Sequence, residues 1–205
     1  MKLLVVAATE LEIQPSIPGL IQNKIDYLIT GVGMVATAFA MAEYMSGKHY
    51  DLAINVGIAG TFNPKHKLGN IYRVPQDTIY GFGAQDDQQF LPIDELGFGQ
   101  SVFLEKPPKF SLGPSFDSLP SLNAITVNTV HGNEQSILQV VTKLGANHLE
   151  SMEGAAFFYA AGKLGIPCLQ VRAISNLIEK RNTKNWDIAK AVNQLNHFLN
   201  SLINL

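Results

Sequence analysis

The chain has 205 residues, of which 46% are hydrophobic and 16% are charged, and this composition excludes wholesale disorder. The formal net charge of −2 excludes the basic excess that nucleic-acid-binding proteins carry. The single cysteine, Cys168, excludes an internal disulfide and a cysteine-based zinc site. The length predicts one domain over residues 1–205.

Short apolar runs alternate with helix-like segments, which is the pattern of an α/β domain with a buried, largely parallel sheet. Strands are predicted at residues 3–8, 25–30, 51–58, 71–75 and 168–174, and regular structure again at residues 124–130. Helices are predicted at residues 33–46, 134–144 and 154–164, followed by a C-terminal helix with an apolar face at the helical period. That face comprises Ile188, Ala191, Val192, Leu195, Phe198, Leu199 and Leu202.

Two segments need separate interpretations. Residues 81–122 contain five glycines and five prolines, so we predict irregular chain with short strands that covers one end of the sheet. Glu10 and Glu12 interrupt the N-terminal apolar run too early for a signal peptide, and no run reaches the roughly 18 apolar residues of a membrane span. We therefore expect a cytoplasmic protein that does not enter the membrane.

Residues 31–36, GVGMVA, follow a strand and open a helix, as the G-x-G-x-x-A form of the dinucleotide fingerprint does. The acid that binds ribose in that fingerprint belongs at the carboxyl end of the next strand, whereas Asp51 opens that strand. Glycines for a tight turn and for close helix packing explain the motif, so we do not expect a dinucleotide site.

Three further segments suit a ligand site or a plainer structural role. Residues 57–60, GIAG, end a central strand and either cradle a ligand with free amides or form a simple turn. Glu153 opens an apolar helix, where its carboxylate suits the helix dipole or a ribose diol beside the apolar Met152. Arg172, Ser175 and Asn176 end the last strand, where polar side chains suit a pocket, although asparagine is also common in turns.

Residues 8–12, 31–33, 57–60, 151–153 and 172–176, in this order, resemble the purine nucleoside phosphorylase and nucleosidase superfamily. The resemblance covers most of the chain apart from residues 81–122. It implies a three-layer αβα sandwich with a central twisted mixed sheet, the nucleoside phosphorylase/hydrolase-like fold. It also implies that Glu12 activates water and that Glu153 grips the ribose hydroxyls.

Adenosine-type nucleosidases of this superfamily carry an aspartate at the position of Asn176, where it protonates the departing adenine. An amide can donate to the 6-oxygen of hypoxanthine or guanine and accept from the protonated ring nitrogen, so Asn176 favours a 6-oxopurine. Residues 67–70, KLGN, lack the arginine that phosphorylases of the superfamily commonly use for phosphate, and Ile58 stands where relatives often have serine. These departures favour hydrolysis over phosphorolysis.

Asn176, residues 127–132 (VNTVHG), residues 150–154 (ESMEG) and the short region between Glu12 and Gly31 resemble the futalosine hydrolases of this superfamily. The resemblance implies hydrolysis of futalosine to hypoxanthine and dehypoxanthine futalosine in menaquinone biosynthesis. The expected catalytic residues are Glu12, Glu153 and Asn176. The expected substrate-binding residues are Met152, Ile58, Ala59, Gly60, Val130, His131, Ser175, Arg172 and Trp186.

Several roles stay open at this point. Arg172 is expected to hold the loop of Asn176, and Trp186 either covers the pocket or anchors the C-terminal helix. His131, Lys180 and Arg181 are candidates for the substrate carboxylate, and solvated loop charge is the alternative for the last two.

The resemblance implies a small-molecule nucleoside as partner. The five histidines show no metal-ligand spacing, so we expect no metal, and no organic cofactor is implied. The resemblance also implies a homodimer in which the neighbouring subunit completes the far end of the pocket, and the apolar Phe90, Phe98 and Phe103 are compatible with such a surface. Two alternative functions are a methylthioadenosine/adenosylhomocysteine-type nucleosidase that tolerates asparagine and a non-catalytic nucleoside-binding protein.

Overall fold

The computed structural model describes residues 1–203 and contains a nine-stranded mixed sheet with helices on both faces. The strands are β1 Leu3–Ala7, β2 Asp26–Ile29, β3 Leu52–Thr61, β4 Ile71–Arg73, β5 Gln76–Ile79, β6 Gly83–Asp86, β7 Gln89–Pro92, β8 Val102–Leu104, β9 Asn123–Thr126, β10 His148–Ser151 and β11 Cys168–Leu177. The helices are α1 Glu10–Ile13, α2 Ile17–Gln22, α3 Met34–Met45, α4 Pro114–Asp117, α5 Glu134–Leu144, α6 Gly154–Lys163 and α7 Ile188–Ile203. Two 3₁₀ turns lie at Gln14–Ser16 and Thr183–Asn185.

Strand β3 is the centre of the sheet because it pairs with three other strands. Its first half pairs in parallel with β1, and nearly its whole length pairs in parallel with β11. Where β1 ends, β3 pairs with antiparallel β10 through Gly60–Glu150 and Thr61–Leu149. The carboxyl halves of β3, β10 and β11 therefore meet at one place, which is where the sequence motifs lie.

The interpretation of residues 57–60 as a turn is wrong. These residues continue β3 to Thr61, because β11 supplies hydrogen-bonding partners as far as Leu177. The strand predicted at residues 168–174 is longer for the same reason. Strands β5 and β10 were not predicted, since their short sequences contain the buried polar residues Asp77, Glu150 and Ser151.

Alternate residues of β1 point to opposite faces, and both faces are buried. On one face Val5 packs in a cluster with Leu195 and Leu199 of α7. On the other face Leu4 packs in a cluster with Met41 of α3 and Phe157 of α6. The predicted three-layer αβα sandwich is therefore confirmed, as are the four helices predicted from the apolar periodicity.

Residues 81–122 form short elements separated by irregular chain, as predicted. Strands β6 and β7 make a separate hairpin, while β8 pairs antiparallel with β5 and extends the main sheet at its edge. The segment thus adds a strand to the sheet instead of covering its end. Among residues 1–203, no helix combines the length and apolarity that crossing a bilayer requires.

Asn196 of α7 fixes the short helix α1 against the rest of the fold. Its buried side chain donates from Nδ2 to the backbone oxygen of Glu12 at 2.8 Å and accepts from the Ser16 hydroxyl at 2.7 Å. A four-residue helix has little stability of its own, so tertiary bonds of this kind hold it in place. The C-terminal helix thereby positions Glu12.

Candidate active site

The carboxylate of Glu12 is fixed by three hydrogen bonds. Oε1 accepts from the backbone N–H of Ile58 at 2.9 Å, and Oε2 accepts from the backbone N–H and hydroxyl of Thr9 at 3.0 and 3.1 Å. The bond from the Thr9 N–H is half of a capping box, so the local sequence of α1 already orients the glutamate. A Cβ at Gly57 would lie 2.8 Å from Oε1, so the carboxylate requires glycine there.

Burial changes the acidity of this carboxylate. Glu12 is 7% exposed, and burial raises its pKa above the ordinary value, while the Ile58 N–H and the charge of Arg172 partly offset the rise. A carboxylate with a raised pKa is a stronger base than an exposed one. This environment suits the proton acceptor that the sequence led us to expect.

Glu153 lies at the N-cap of α6 and accepts backbone hydrogen bonds on both oxygens. Oε1 accepts from the N–H of Gly33 at 2.9 Å, and Oε2 accepts from the N–H of Met152 at 3.2 Å. Gly33 has a φ of 97°, a conformation that side chains disfavour. The motif that resembles a dinucleotide fingerprint therefore serves to hold Glu153.

Arg172 lies beneath the two glutamates and is 1% exposed. Burial lowers its pKa, and the surrounding carboxylates of Glu153, Glu12 and Asp77 act against that change. Its Nη2 donates to the side-chain oxygen of Asn55. The structure thus corrects two expectations, because Arg172 is enclosed below the site and its hydrogen bonds go to Asn55 and Val171, not to Asn176.

Asn176 follows a β-bulge, which shifts the pairing of β11 against β3 between Ile174 and Asn176. Ser175 Oγ lies 2.8 Å from Asn176 Oδ1 and 3.2 Å from the backbone oxygen of Ala59. Asn176 Nδ2 donates to the backbone oxygen of Leu177 at 3.1 Å. Ser175, not Arg172, therefore orients the amide.

A cavity opens beside Asn176 and collects several of the expected binding residues. Its lining comprises Gly60, Val130, His131, Glu150, Asn176, Leu177, Ile178, Glu179, Arg181 and Trp186. The Arg181 guanidinium lies 5.2 Å from the Trp186 ring centre, so these two residues form one wall. Lys180 is exposed and does not line the cavity.

The other expected binding residues adjoin the glutamates and the asparagine through their backbones. Met152 and Ile58 donate their N–H groups to Glu153 and Glu12, and the Ala59 oxygen lies against Ser175. Gly60 leaves room for the amide, since a Cβ there would lie 3.2 Å from Asn176 Nδ2.

Asp77 and Glu150 are buried acids at the site: the sequence analysis did not single out Asp77, and it gave Glu150 no role of its own. Asp77 accepts from the Thr126 hydroxyl at 2.7 Å and from Gln170 Nε2 at 3.0 Å. It lies directly below the start of α6, because a Cβ on Gly154 would come within 2.0 Å of its Oδ2. The only sequence signal for Asp77 is a lone acid in an otherwise uncharged stretch, which many surface strands share.

Burial raises the pKa of Asp77 to about 6, from an ordinary value of 3.8. Between these values the folded state retains a proton that the unfolded state has lost, so the contribution of Asp77 to stability falls as pH rises. We expect the free energy of unfolding of the wild type to fall relative to Asp77→Asn by roughly 2 kcal/mol between about pH 4 and pH 7. Urea denaturation of both proteins at both pH values measures this change, and a pH-independent difference would contradict it.

Comparison of the chain with known proteins identifies its family. A family model described as the phosphorylase superfamily matches residues 121–204. The futalosine hydrolase of Acidothermus cellulolyticus is 32% identical over 179 residues, which cover 84% of this chain and 72% of that protein. The futalosine hydrolase of Streptomyces coelicolor is 28% identical over 184 residues, which cover 85% of this chain and 78% of that protein.

Solved structures show the same fold. Futalosine hydrolase of Helicobacter pylori superposes with a TM-score of 0.80 at 15% identity, covering 100% of this chain and 97% of that chain. The 5'-methylthioadenosine/S-adenosylhomocysteine nucleosidase of Helicobacter pylori gives a TM-score of 0.80 at 16% identity, covering 100% and 98%. The 32% identity over most of both sequences shows that the chain belongs to the futalosine hydrolase family, and the family model places its C-terminal part in the phosphorylase superfamily.

Proposed function

We propose that the protein hydrolyses the N-glycosidic bond of futalosine, releasing hypoxanthine and dehypoxanthine futalosine as a step of menaquinone biosynthesis. The observation that carries this proposal is the combination of two buried glutamates above Arg172 with an amide, Asn176, at the adjoining cavity. The names of the related enzymes support the choice of substrate.

The hydrogen bonds already made by the two glutamates suit two different tasks. A carboxylate has about four acceptor positions. Glu153 uses two of them on backbone N–H groups, which leaves about two for the hydroxyls of a ribose diol. Glu12 uses three, which leaves about one for a single water molecule. Glu153 thus orients the sugar, and Glu12 accepts the proton of the attacking water.

The remaining hydrogen-bonding capacity of Asn176 matches the edge of a departing 6-oxopurine. Its Oδ1 receives the Ser175 hydroxyl and one Nδ2 hydrogen goes to Leu177, so one N–H and one acceptor position stay free. The free N–H donates a hydrogen bond to the 6-oxygen, and the free acceptor position of Oδ1 accepts a hydrogen bond from the five-membered-ring nitrogen once that nitrogen carries a proton. Charge that develops on the base as the sugar becomes oxocarbenium-like is stabilised in this way.

The arginines support hydrolysis over phosphorolysis. Arg73 pairs with Glu105, Arg172 is enclosed below the glutamates, and Arg181 stacks on Trp186. Each of the three arginines in the sequence is therefore already engaged, and the apolar Ile58 borders Glu12. Of the three, Arg73 and Arg172 already face carboxylates, and Arg181 lies with Trp186 at the wall of the Asn176 cavity, so no arginine is arranged beside Ile58 as phosphate binding would require.

Incubation with futalosine, inosine or methylthioadenosine in phosphate-free buffer tests the function, with the released base followed by chromatography. We expect the wild type to release hypoxanthine from futalosine. We expect the rate of release to fall about 10²–10⁴-fold in Glu12→Gln, because this variant loses the general base but still binds ligand. Glu10→Gln, at an exposed position two residues earlier, is the matched control and should stay active. Adenine release from methylthioadenosine alone would favour the alternative nucleosidase, and full activity of Glu12→Gln would remove Glu12 from the mechanism.

Asn176→Asp tests the choice of base. A protonated carboxyl suits adenine, whereas an ionised one repels the 6-oxygen of hypoxanthine, so we expect the ratio of kcat/KM for adenine over hypoxanthine nucleosides to rise at least about tenfold. The measurement compares futalosine with the analogue that carries adenine. An unchanged ratio would show that Asn176 does not select the base.

We also infer that the protein acts as a homodimer through a groove between α3, α6 and β8. Val35 and Phe98 line this groove and are each 84% exposed, and Leu104 and Tyr159 add further apolar surface. Contiguous apolar surface of this kind is typical of an interaction site. Since α3 begins directly after Gly33, which holds Glu153, a second copy seated here adjoins the site.

Light scattering on purified protein tests this assembly. We expect a mass about twice the 22.4 kDa of one chain, and a shift toward one chain mass in Val35→Asp, because the interface would then bury an unpaired charge. Leu138→Asp on α5 is the matched control, since Leu138 is 65% exposed but lies outside the groove. A wild-type protein that is monomeric at micromolar concentration would contradict the inference.

A further inference from the structure

Glu150 is a buried acid that takes no part in the mechanism above. It lies on β10 and is 4% exposed. Both of its oxygens accept from a single residue: Oε1 from the backbone N–H of His131 at 3.0 Å, and Oε2 from the His131 ring at Nδ1. A buried carboxylate with so specific a partner fixes the protonated nitrogen of that ring.

The His131 ring is held rigidly at the wall of the cavity that Asn176 also lines. The rings of Phe62 and Tyr80 pack edge-on against it, with centroids 6.1 and 5.5 Å away. Because Nδ1–H donates to Glu150, Nε2 is the nitrogen left to meet a ligand. In a carboxylate–imidazole pair of this kind the neutral ring presents a lone pair at that nitrogen.

Purine bases differ in what they offer to such a lone pair. In hypoxanthine the ring nitrogen N1, next to the carbon that carries the 6-oxygen, bears a hydrogen and donates. In adenine the same nitrogen bears a lone pair and accepts. A base whose 6-substituent meets Asn176 turns N1 toward the neighbouring wall of the cavity, where His131 lies.

We propose that His131, held as the Nδ1–H tautomer by Glu150, accepts a hydrogen bond from N1–H of a 6-oxopurine and thereby selects it over adenine. His131 is the specificity-determining residue, and Glu150 is its positioning residue. The inference rests on the proposed function for the orientation of the base. It adds a second selection at the N1 position of the base, next to the 6-oxygen that Asn176 reads.

Binding of free bases to the wild-type protein provides the first test, by calorimetry with hypoxanthine, 1-methylhypoxanthine and adenine. The methylated base keeps the 6-oxygen that Asn176 reads but lacks the N1 hydrogen. We expect hypoxanthine to bind at least about tenfold more tightly than either of the others, because the polar group facing N1 is left unpaired in both. Equal binding of hypoxanthine and 1-methylhypoxanthine would overturn the proposal.

Glu150→Gln provides the second test because it inverts the polarity of His131. The backbone N–H of His131 can only donate, so the oxygen of the introduced amide must stay on it and the NH₂ group must face Nδ1. Nδ1 then has to accept, the ring proton moves to Nε2, and the cavity meets a donor where it met an acceptor. We expect the preference for hypoxanthine over adenine to fall at least about tenfold, an effect that loss of packing alone does not produce.

Glu134→Gln is the matched control, since Glu134 is an exposed carboxylate three residues after His131. The preference of this variant for hypoxanthine over adenine should equal that of the wild type. An unchanged preference in folded Glu150→Gln would overturn the proposal. If that variant does not fold, the methylated base decides the question on the wild type. Binding of free bases requires no turnover, so the two proposals can fail separately. If the protein leaves futalosine intact but its preference for hypoxanthine over adenine still depends on Glu150, this inference is supported and only the proposed function is rejected.

Discussion

The charge of one buried guanidinium, which acts on three buried carboxyl groups around it, is the constraint on which the site depends. Arg172 of β11 lies among Glu12 of α1, Asp77 of β5 and Glu153 at the start of α6. Removing one partner from such a cluster leaves an uncompensated buried charge, which costs several kcal/mol. The cluster is not in itself a source of stability, because burying ions is expensive. Its consequence is that four distant segments of the chain must fold around a single charge.

Backbone N–H groups, more than side chains, hold the two glutamates in place. Ile58 on β3 and Thr9 before α1 fix Glu12, while Gly33 before α3 fixes Glu153. Strands and helix ends are rigid donors that do not reorganise during a reaction, and groups held in this way are preorganised for chemistry. The glycine at position 57 serves the same end, since it leaves the space that Glu12 occupies.

In the mechanism that we propose, the sugar end and the base end of the site are built on different principles. At the sugar end the charges are buried and surround Arg172. At the base end the side chains that face the cavity, Asn176 and His131, are oriented by Ser175 and Glu150. Proteins that share this fold can therefore differ in the purine base that they recognise through a few side chains at the cavity, while the glutamate pair stays the same.

The sequence by itself determined the layers of the fold, because the continuous apolar runs of β1 and α6 and the apolar face of α7 report burial directly. It also pointed to Glu153 and Asn176, since an acid or amide at the end of an apolar element is conspicuous, whereas Glu12 was indicated only by the resemblance to the nucleosidase superfamily. Only the tertiary structure decided where Arg172 points, that Gly33 binds Glu153, and that Asp77 and Glu150 belong to the site. Those facts depend on pairs such as Gly33 and Glu153, which lie 120 residues apart, and no local pattern records which strand ends will meet.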